Sequence, residues 1–380
     1  MNEWIRFLTG VLLILLLAGP PALPCDLCNP GKATTTLRED AAKAKLILFG
    51  KLANARLDPA SDGGGATDLQ IEKVLKDDPW LRARKVVEIP RYVRLDPGTD
   101  HFLIFCDIFR GKLDPFRGQP ASAEVIGYVQ KASVLDARDR TKTLLFYFDY
   151  LDHTNRQIAN DAFAEFTHCS DAEIGQVAGK LSPAKLRRWL QDAQTPAERL
   201  GLYSFLLGGC GGDHDAALLR ALIAKSGERT GNALGGLLSG YIHLRPREGW
   251  KLAETILTDK QRPFAERYAV IGMLRFYHGW KPEETRADVM RCLAVLVGQG
   301  DMADIAVEDL RRWEMWSLCV EVLGQFPKQT HAAPIVRRAI VRYALSCPKP
   351  EAKSFIAELR KTDADIVGDV EESLRFEKQK

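Results

Sequence analysis

The sequence predicts an α+β protein of more than one domain, a small antiparallel β-barrel followed by an α-helical solenoid. Two patterns carry that prediction. Segments sharing one helical apolar pattern recur along the back two-thirds of the chain, and short apolar runs separated by Gly and Pro turns fill residues 44–110. A third observation, an apolar stretch at the start, bears on the compartment. At 380 residues the chain exceeds what one compact core normally serves. Its 27% charged and 8% aromatic residues are those of a chain that folds. The net charge of +3 is spread along the length, without the basic face and interleaved aromatics that nucleic acid requires. The small clusters Arg82/Arg84/Lys85, Arg187/Arg188, Arg311/Arg312 and Arg337/Arg338 read as solvated faces of amphipathic elements.

Met1–Pro24 carries Arg6, an apolar run from Phe7 to Ala18, and Gly19-Pro20-Pro21-Ala22. The run suits the core of a signal peptide and is short of the ~20 residues of a spanning helix. The expectation is therefore export to the cell envelope or periplasm, or secretion, with residues 1–24 removed. A retained anchor would be the only link to a membrane. Pro24 before Cys25 is unsuited to lipid attachment. In an oxidising space Cys25, Cys28 and Cys106 are the disulfide candidates. Cys169, Cys210, Cys292, Cys319 and Cys347 lie in helical segments, where a thiol acts as a small buried hydrophobe. Cys25-Asp26-Leu27-Cys28 has no preceding strand and no βαβ pattern after it, so a structural staple is expected over redox work. A zinc site from these cysteines and His101 lacks a second cysteine pair.

The expected strands are Ala44–Leu57, bent at Gly50, then Thr67–Lys76, Ala83–Val93 and His101–Phe109. Turns at Asp58–Ala66 and Asp96-Pro97-Gly98 connect them. Gly111–Pro120 reads as an exposed turn and linker. The predicted domains are thus 25–120 for the β module, 121–138 for a linker and 139–380 for the helices.

The order of parts in the first domain resembles the netrin-like module of tissue inhibitors of metalloproteases, an OB-type barrel. The resemblance rests on Cys25-x-x-Cys28, a short helix at Leu37–Ala44, the strand ending ILFGKL, IEKVLKDDPWLRARKVVEIP, and HFLIFC. In those inhibitors the first cysteine's amine and carbonyl chelate the target's zinc, which would carry onto Cys25 only if cleavage fell directly before it. The order of the whole chain, with FLIFCDIFRGKLDPFRG, DLRRWEMW and VRYALSCPKPEAKSFIAELRK, also resembles a set of exported bacterial proteins to which no activity is attached.

The helical repeats start at Gln157, Ala197, Asn232, Ala265, Asp301 and Ala333, about 32–40 residues apart, the spacing of helix-hairpin repeats. Ala265–Gly279 shows the pattern best, with Tyr268, Ile271, Leu274 and Phe276 on a broad apolar face. Pro196 with Glu198 and Pro282 with Glu283 open helices in the expected way. The period and the small residues Ala162, Gly201, Gly236, Gly272 and Ala339 resemble HEAT-type repeats; the landmarks of TPR do not recur in place. Asp363–Lys380 is polar, as a capping helix should be. Gly208–Asp213 fits no phosphate-binding spacing and reads as a turn between helices. No metalloprotease, hydrolase, kinase or calcium-loop motif occurs, and the histidines are dispersed. No cofactor and no catalytic residue is expected. Arg312, Trp313 and Trp316 form the densest aromatic and cationic patch, either core or a hot spot for binding. The class these readings point to is an exported, non-enzymatic protein-interaction protein. The alternatives are a thiol–disulfide or thiol–metal protein using Cys25 and Cys28, and an inhibitor-like binder.

Overall fold

The computed structural model describes residues 35–378 apart from positions 62, 96, 97, 99 and 226. The expected leader, Cys25, Cys28 and the Asp96-Pro97 turn lie outside the described residues. The described chain divides into two compact units, one ending at Cys169 and the other starting at Ser170. The stretch 121–138, expected as a linker, instead carries a helix at Ala123–Ser133.

The first unit opens on helix α1 (Leu37–Lys43), started by a reciprocal cap. The Glu39 amide donates to the Thr36 hydroxyl oxygen, and the Thr36 amide donates to the Glu39 carboxylate, each at 3.2 Å. Five strands follow: β1 (Leu46–Leu57), β2 (Gly65–Lys76), β3 (Val86–Ile89), β4 (His101–Phe109) and β5 (Lys112–Pro120). They form one antiparallel sheet in the order β3-β2-β1-β4-β5. Leu46, Leu48 and Leu52 cluster with Leu69, Val87, Ile89, Ile104, Cys106 and Leu113. The alternate residues Ile47, Phe49, Leu103 and Phe105 are buried as well, so the sheet centre is covered on both faces. That double burial is why β1 and β4 read as continuous apolar runs. The register shifts at Phe49/Gly50, where a Cβ on Gly50 would overlap the Gln70 carbonyl.

Strand β5 departs from the sequence reading of an exposed turn and linker. Arg110 (φ 49°) and Gly111 (φ 76°) make a two-residue turn with both φ positive, the kind that reverses a hairpin. Pro115 falls where the β4–β5 register shifts and Pro120 ends the strand, and the strand lies at the sheet edge, where a missing amide is tolerated. Strand β3 is shorter than expected because Pro90 follows it directly. Helices α2 (Ala123–Ser133), α3 (Arg140–Phe148) and α4 (Arg156–Thr167) complete the unit.

In the second unit the described residues form helices and turns. In chain order they are α5 (Asp171–Ala178), α6 (Pro183–Gln191), α7 (Ala197–Cys210), α8 (Asp213–Ala224), α9 (Glu228–Gly231) and α10 (Leu234–Leu244). Next come α11 (Pro246–Thr258), α12 (Phe264–Trp280), α13 (Pro282–Val297) and α14 (Ala303–Arg312). The last are α15 (Cys319–Leu323), α16 (Pro334–Ser346), α17 (Pro350–Thr362) and α18 (Ala364–Lys378). Proline at the first turn starts α6, α11, α13, α16 and α17, where its missing amide costs nothing.

Alternate helices pack on one another. α10 lies on α7 through glycine: a Cβ on Gly236 would overlap the Gly201 backbone, and one on Gly208 would stand 2.6 Å from the Gly240 Cα. Tyr277 of α12 donates to the Ser239 carbonyl of α10 at 2.8 Å. Arg275 of α12 holds Asp309 of α14 through two bonds of 2.9 and 3.1 Å, and Arg338 of α16 meets Asp369 of α18 at 3.1 Å. The intervening helices make a second series, in which Arg291 of α13 donates to Glu254 of α11 at 3.0 Å. Some contacts break the neighbour-to-neighbour rule: α5 meets α12 at Gly175, beneath the Trp280 indole, Phe205 of α7 lies edge-on to Phe276 of α12 at 4.4 Å, and Arg311 of α14 reaches Glu377 of α18 at 2.7 Å. Gly208 and Gly209, expected in a turn, belong to α7 and form close helix crossings; the turn begins only at Gly211.

Replacing Gly236 by alanine should therefore lower the thermal midpoint of the full chain by about 5–10 °C through overpacking. Gly272→Ala, where an added Cβ meets nothing within 4 Å, should leave it unchanged or raise it by a few degrees. Calorimetry of the two variants side by side checks the contrast.

Candidate interaction face

Helix α12 turns Val270, Ile271, Met273, Leu274, Phe276 and Tyr277 inward. Phe264 and Tyr268, one turn apart, stay outside with their rings stacked at 5.9 Å. The same logic leaves Asp304, Ile305, Glu308 and Arg312 outward on α14, and Ile335, Arg338, Ala339 and Arg342 outward on α16. Tyr268, Arg275 and these side chains line an open groove of about 670 Å³. Its apolar part is exposed: Ile335 keeps 65% of its surface and Tyr268 44%. Four arginines (275, 312, 338 and 342) face two carboxylates along the lining, and Arg275 and Arg338 are paired with Asp309 and Asp369 beside it, so the charge of the groove is largely balanced.

The ion pairs hold this surface in place. Glu308 accepts from Arg311 at 2.6 Å and lies within 3.6 Å of both Arg312 and Arg342. Burial pushes its carboxyl up, but the Arg311 hydrogen bonds and the arginine charges outweigh this and hold it below the usual glutamate range. Asp309 is nearly enclosed, and there burial wins over Arg275, so its carboxyl sits above the usual range. Deeper on α12, Arg267 donates to Gln299 at 2.9 Å and to Asp301 at 2.6 Å, and that hydrogen bond lowers Asp301.

Of the three sequence-derived candidates, the structure brings only Arg312 to the groove. Trp313 is half-buried and stacks on His278 at 4.0 Å; burial and then the Arg286 charge push that imidazole down, toward its neutral form. Trp316 is half-buried edge-on to Tyr343 at 5.1 Å. Tyr268, Ile335, Arg338 and Arg342 were missed as site residues. The available signal was an apolar residue flanked by charges on the outward side of its helix.

In the first unit Cys106 is wholly buried in the sheet core, where desolvation and then the Asp114 charge push its thiol up to about 12. A second concavity of about 470 Å³ lies over Leu52, Ile89, Phe102 and Ile104, edged by Arg91, Asp114 and Arg117. His101 is held by Asp100 at 2.9 Å and Glu72 at 3.1 Å. Among the described residues no group of three or more His, Cys, Asp or Glu is placed to hold a metal ion.

A buried polar network anchors α1. Arg38 grips the fully buried Glu165 of α4 through bonds of 2.8–3.2 Å. Burial opposes the Arg38 charge, but Glu165 more than compensates and raises its affinity for the proton. Asp161, one turn earlier, accepts from the Leu37 amide and from the Tyr128 hydroxyl, both at 2.7 Å. Desolvation outweighs those donors and pushes its carboxyl up to about 6. These bonds fasten the first described helix to α4, and α4 in turn to α2.

Compared with known proteins, the chain matches no family model and no curated protein sequence.

Because the folded carboxyl of Asp161 binds its proton more tightly than the unfolded one, the stabilisation from protonation is fully present below about pH 4. It is lost as the pH rises through about 6. At its full extent the difference is about 3 kcal/mol. Denaturant titrations of the wild type and Asp161→Asn between pH 4 and 8 should show this component in the wild type and not in the variant.

Proposed function

We propose that this chain is an exported, non-enzymatic interaction protein of the cell envelope, a scaffold or adaptor. In this reading the sheet of the first unit is a netrin-like, OB-type barrel, and the second unit is a solenoid of HEAT-like helix pairs capped by α18. The observation that carries the reading is the groove across α12, α14 and α16, where exposed Tyr268 and Ile335 sit among four arginines. Apolar anchors ringed by charges already held in ion pairs are what a protein-binding surface requires. Arg312 and Arg342, which share Glu308, favour a partner segment that joins acidic and apolar side chains. The regular cross-helix pairs, 31–38 residues apart, support the repeat reading.

The test is affinity capture from envelope extracts with the full chain and with a Tyr268→Ala, Ile335→Asp, Arg338→Glu variant. The wild type should recover a defined protein whose binding weakens with salt and falls at least ten-fold in the variant. Equal capture by a variant that retains its thermal midpoint would remove the groove from the function.

A further inference from the structure

The sulfurs of Cys319 and Cys347 touch, at 3.7 Å, across 28 residues of chain. Cys319 opens the short helix α15 and is wholly buried, while Cys347 closes α16 with 4% of its surface exposed. The other thiols with a described hydrogen bond donate to backbone instead: Cys169 to the Glu165 carbonyl at 3.1 Å and Cys210 to that of Leu206 at 3.3 Å. The surroundings of the pair are firmly packed. Tyr343 donates to the Met315 carbonyl at 3.1 Å, and Trp316 lies edge-on to the Tyr343 ring.

We infer that Cys319 and Cys347 are a disulfide-forming pair, a clasp that ties α15 to the end of α16 when the chain meets a disulfide oxidant. The five-residue α15 is short for a helix that stands alone. A cross-link closing a 28-residue loop constrains the unfolded chain and so favours the folded one.

Glutathione disulfide serves as the oxidant. Cys347, the more exposed of the two though still buried, is reached when the end of α16 opens locally; it gives its proton to water and attacks one glutathione sulfur, the glutathione S–S bond breaks and one glutathione thiolate leaves. Cys319 then loses its proton and attacks the Cys347 sulfur of the mixed disulfide, expelling the second glutathione. Two protein thiols and one glutathione disulfide become one protein disulfide and two glutathione thiols. Burial, then the hydrogen bond from Cys347, push the Cys319 thiol up to about 12, so the second step needs local opening and is slow at neutral pH. The pair is therefore a structural clasp, unsuited to rapid cycling.

The full chain, reduced and then incubated with glutathione disulfide, is denatured in an alkylating agent, digested without reductant and read by mass spectrometry. The expected product is a linked peptide pair holding Cys319 and Cys347, two hydrogens lighter than the sum of its parts. The thermal midpoint should rise by about 5–10 °C, reversibly with reductant. Cys347→Ser should show neither the linked pair nor the rise. Complete alkylation of Cys319 and Cys347 after oxidation, or their linkage to other cysteines instead of to each other, would overturn the pairing. The digest of the wild type decides this even if the variant folds poorly.

Discussion

Each long helix of the second unit has an apolar stripe too wide to leave in water, and the next long helix is what covers it. Where α10 meets α7 the cover is so close that only glycine fits, with Gly236 against Gly201 and Gly208 against Gly240. Farther along, the same register is kept by charge, as Arg275 reaches Asp309 and Arg338 reaches Asp369. Backbone approach fixes spacing and ion pairs fix rotation, so the outward side chains of successive helices fall in line. The groove over Tyr268, Arg312 and Ile335 is a product of that alignment.

Polar groups buried in the two units serve different ends. In the first unit Glu165 and Asp161 fasten the chain's first described helix through a bidentate arginine and an amide, while the Tyr128 phenol of α2 holds the other oxygen of Asp161. Removing one partner of such a network leaves a buried group unpaired, which costs more than the bond itself contributes. In the second unit Glu308 is shared among Arg311, Arg312 and Arg342, two of which still face solvent. A carboxylate shared by several arginines keeps the cluster ordered and leaves the outward donors of Arg312 and Arg342 for a ligand.

The helices were legible in the sequence because apolar spacing, first-turn prolines and cap residues agree locally. The sheet was legible where β1 and β4 run as unbroken apolar stretches. Strand β5 was not, since two prolines, a glycine and alternating charges look like a turn; only its pairing with β4 makes it a strand. Gly208 and Gly209 misled for a related reason, because a glycine pair marks a turn in isolation and a helix crossing only when a second helix is known to lie there. At the groove, Arg312 was visible as a charge in a dense patch. Periodicity places Tyr268 on the buried face, yet on α12 it keeps 44% of its surface exposed. The contact of Cys319 with Cys347 leaves no local trace, being made by the packing of α15 against the end of α16.

Stability in the second unit passes mainly from each helix to its spatial neighbours. Hydrogen exchange of the full chain, read peptide by peptide by mass spectrometry, tests this most directly. The amides of α7, α10 and α12, flanked on both sides, should be the most protected, with protection falling stepwise toward α17 and α18. Uniform protection from α5 to α18, lost in a single step, would mean one cooperative core and would contradict the account.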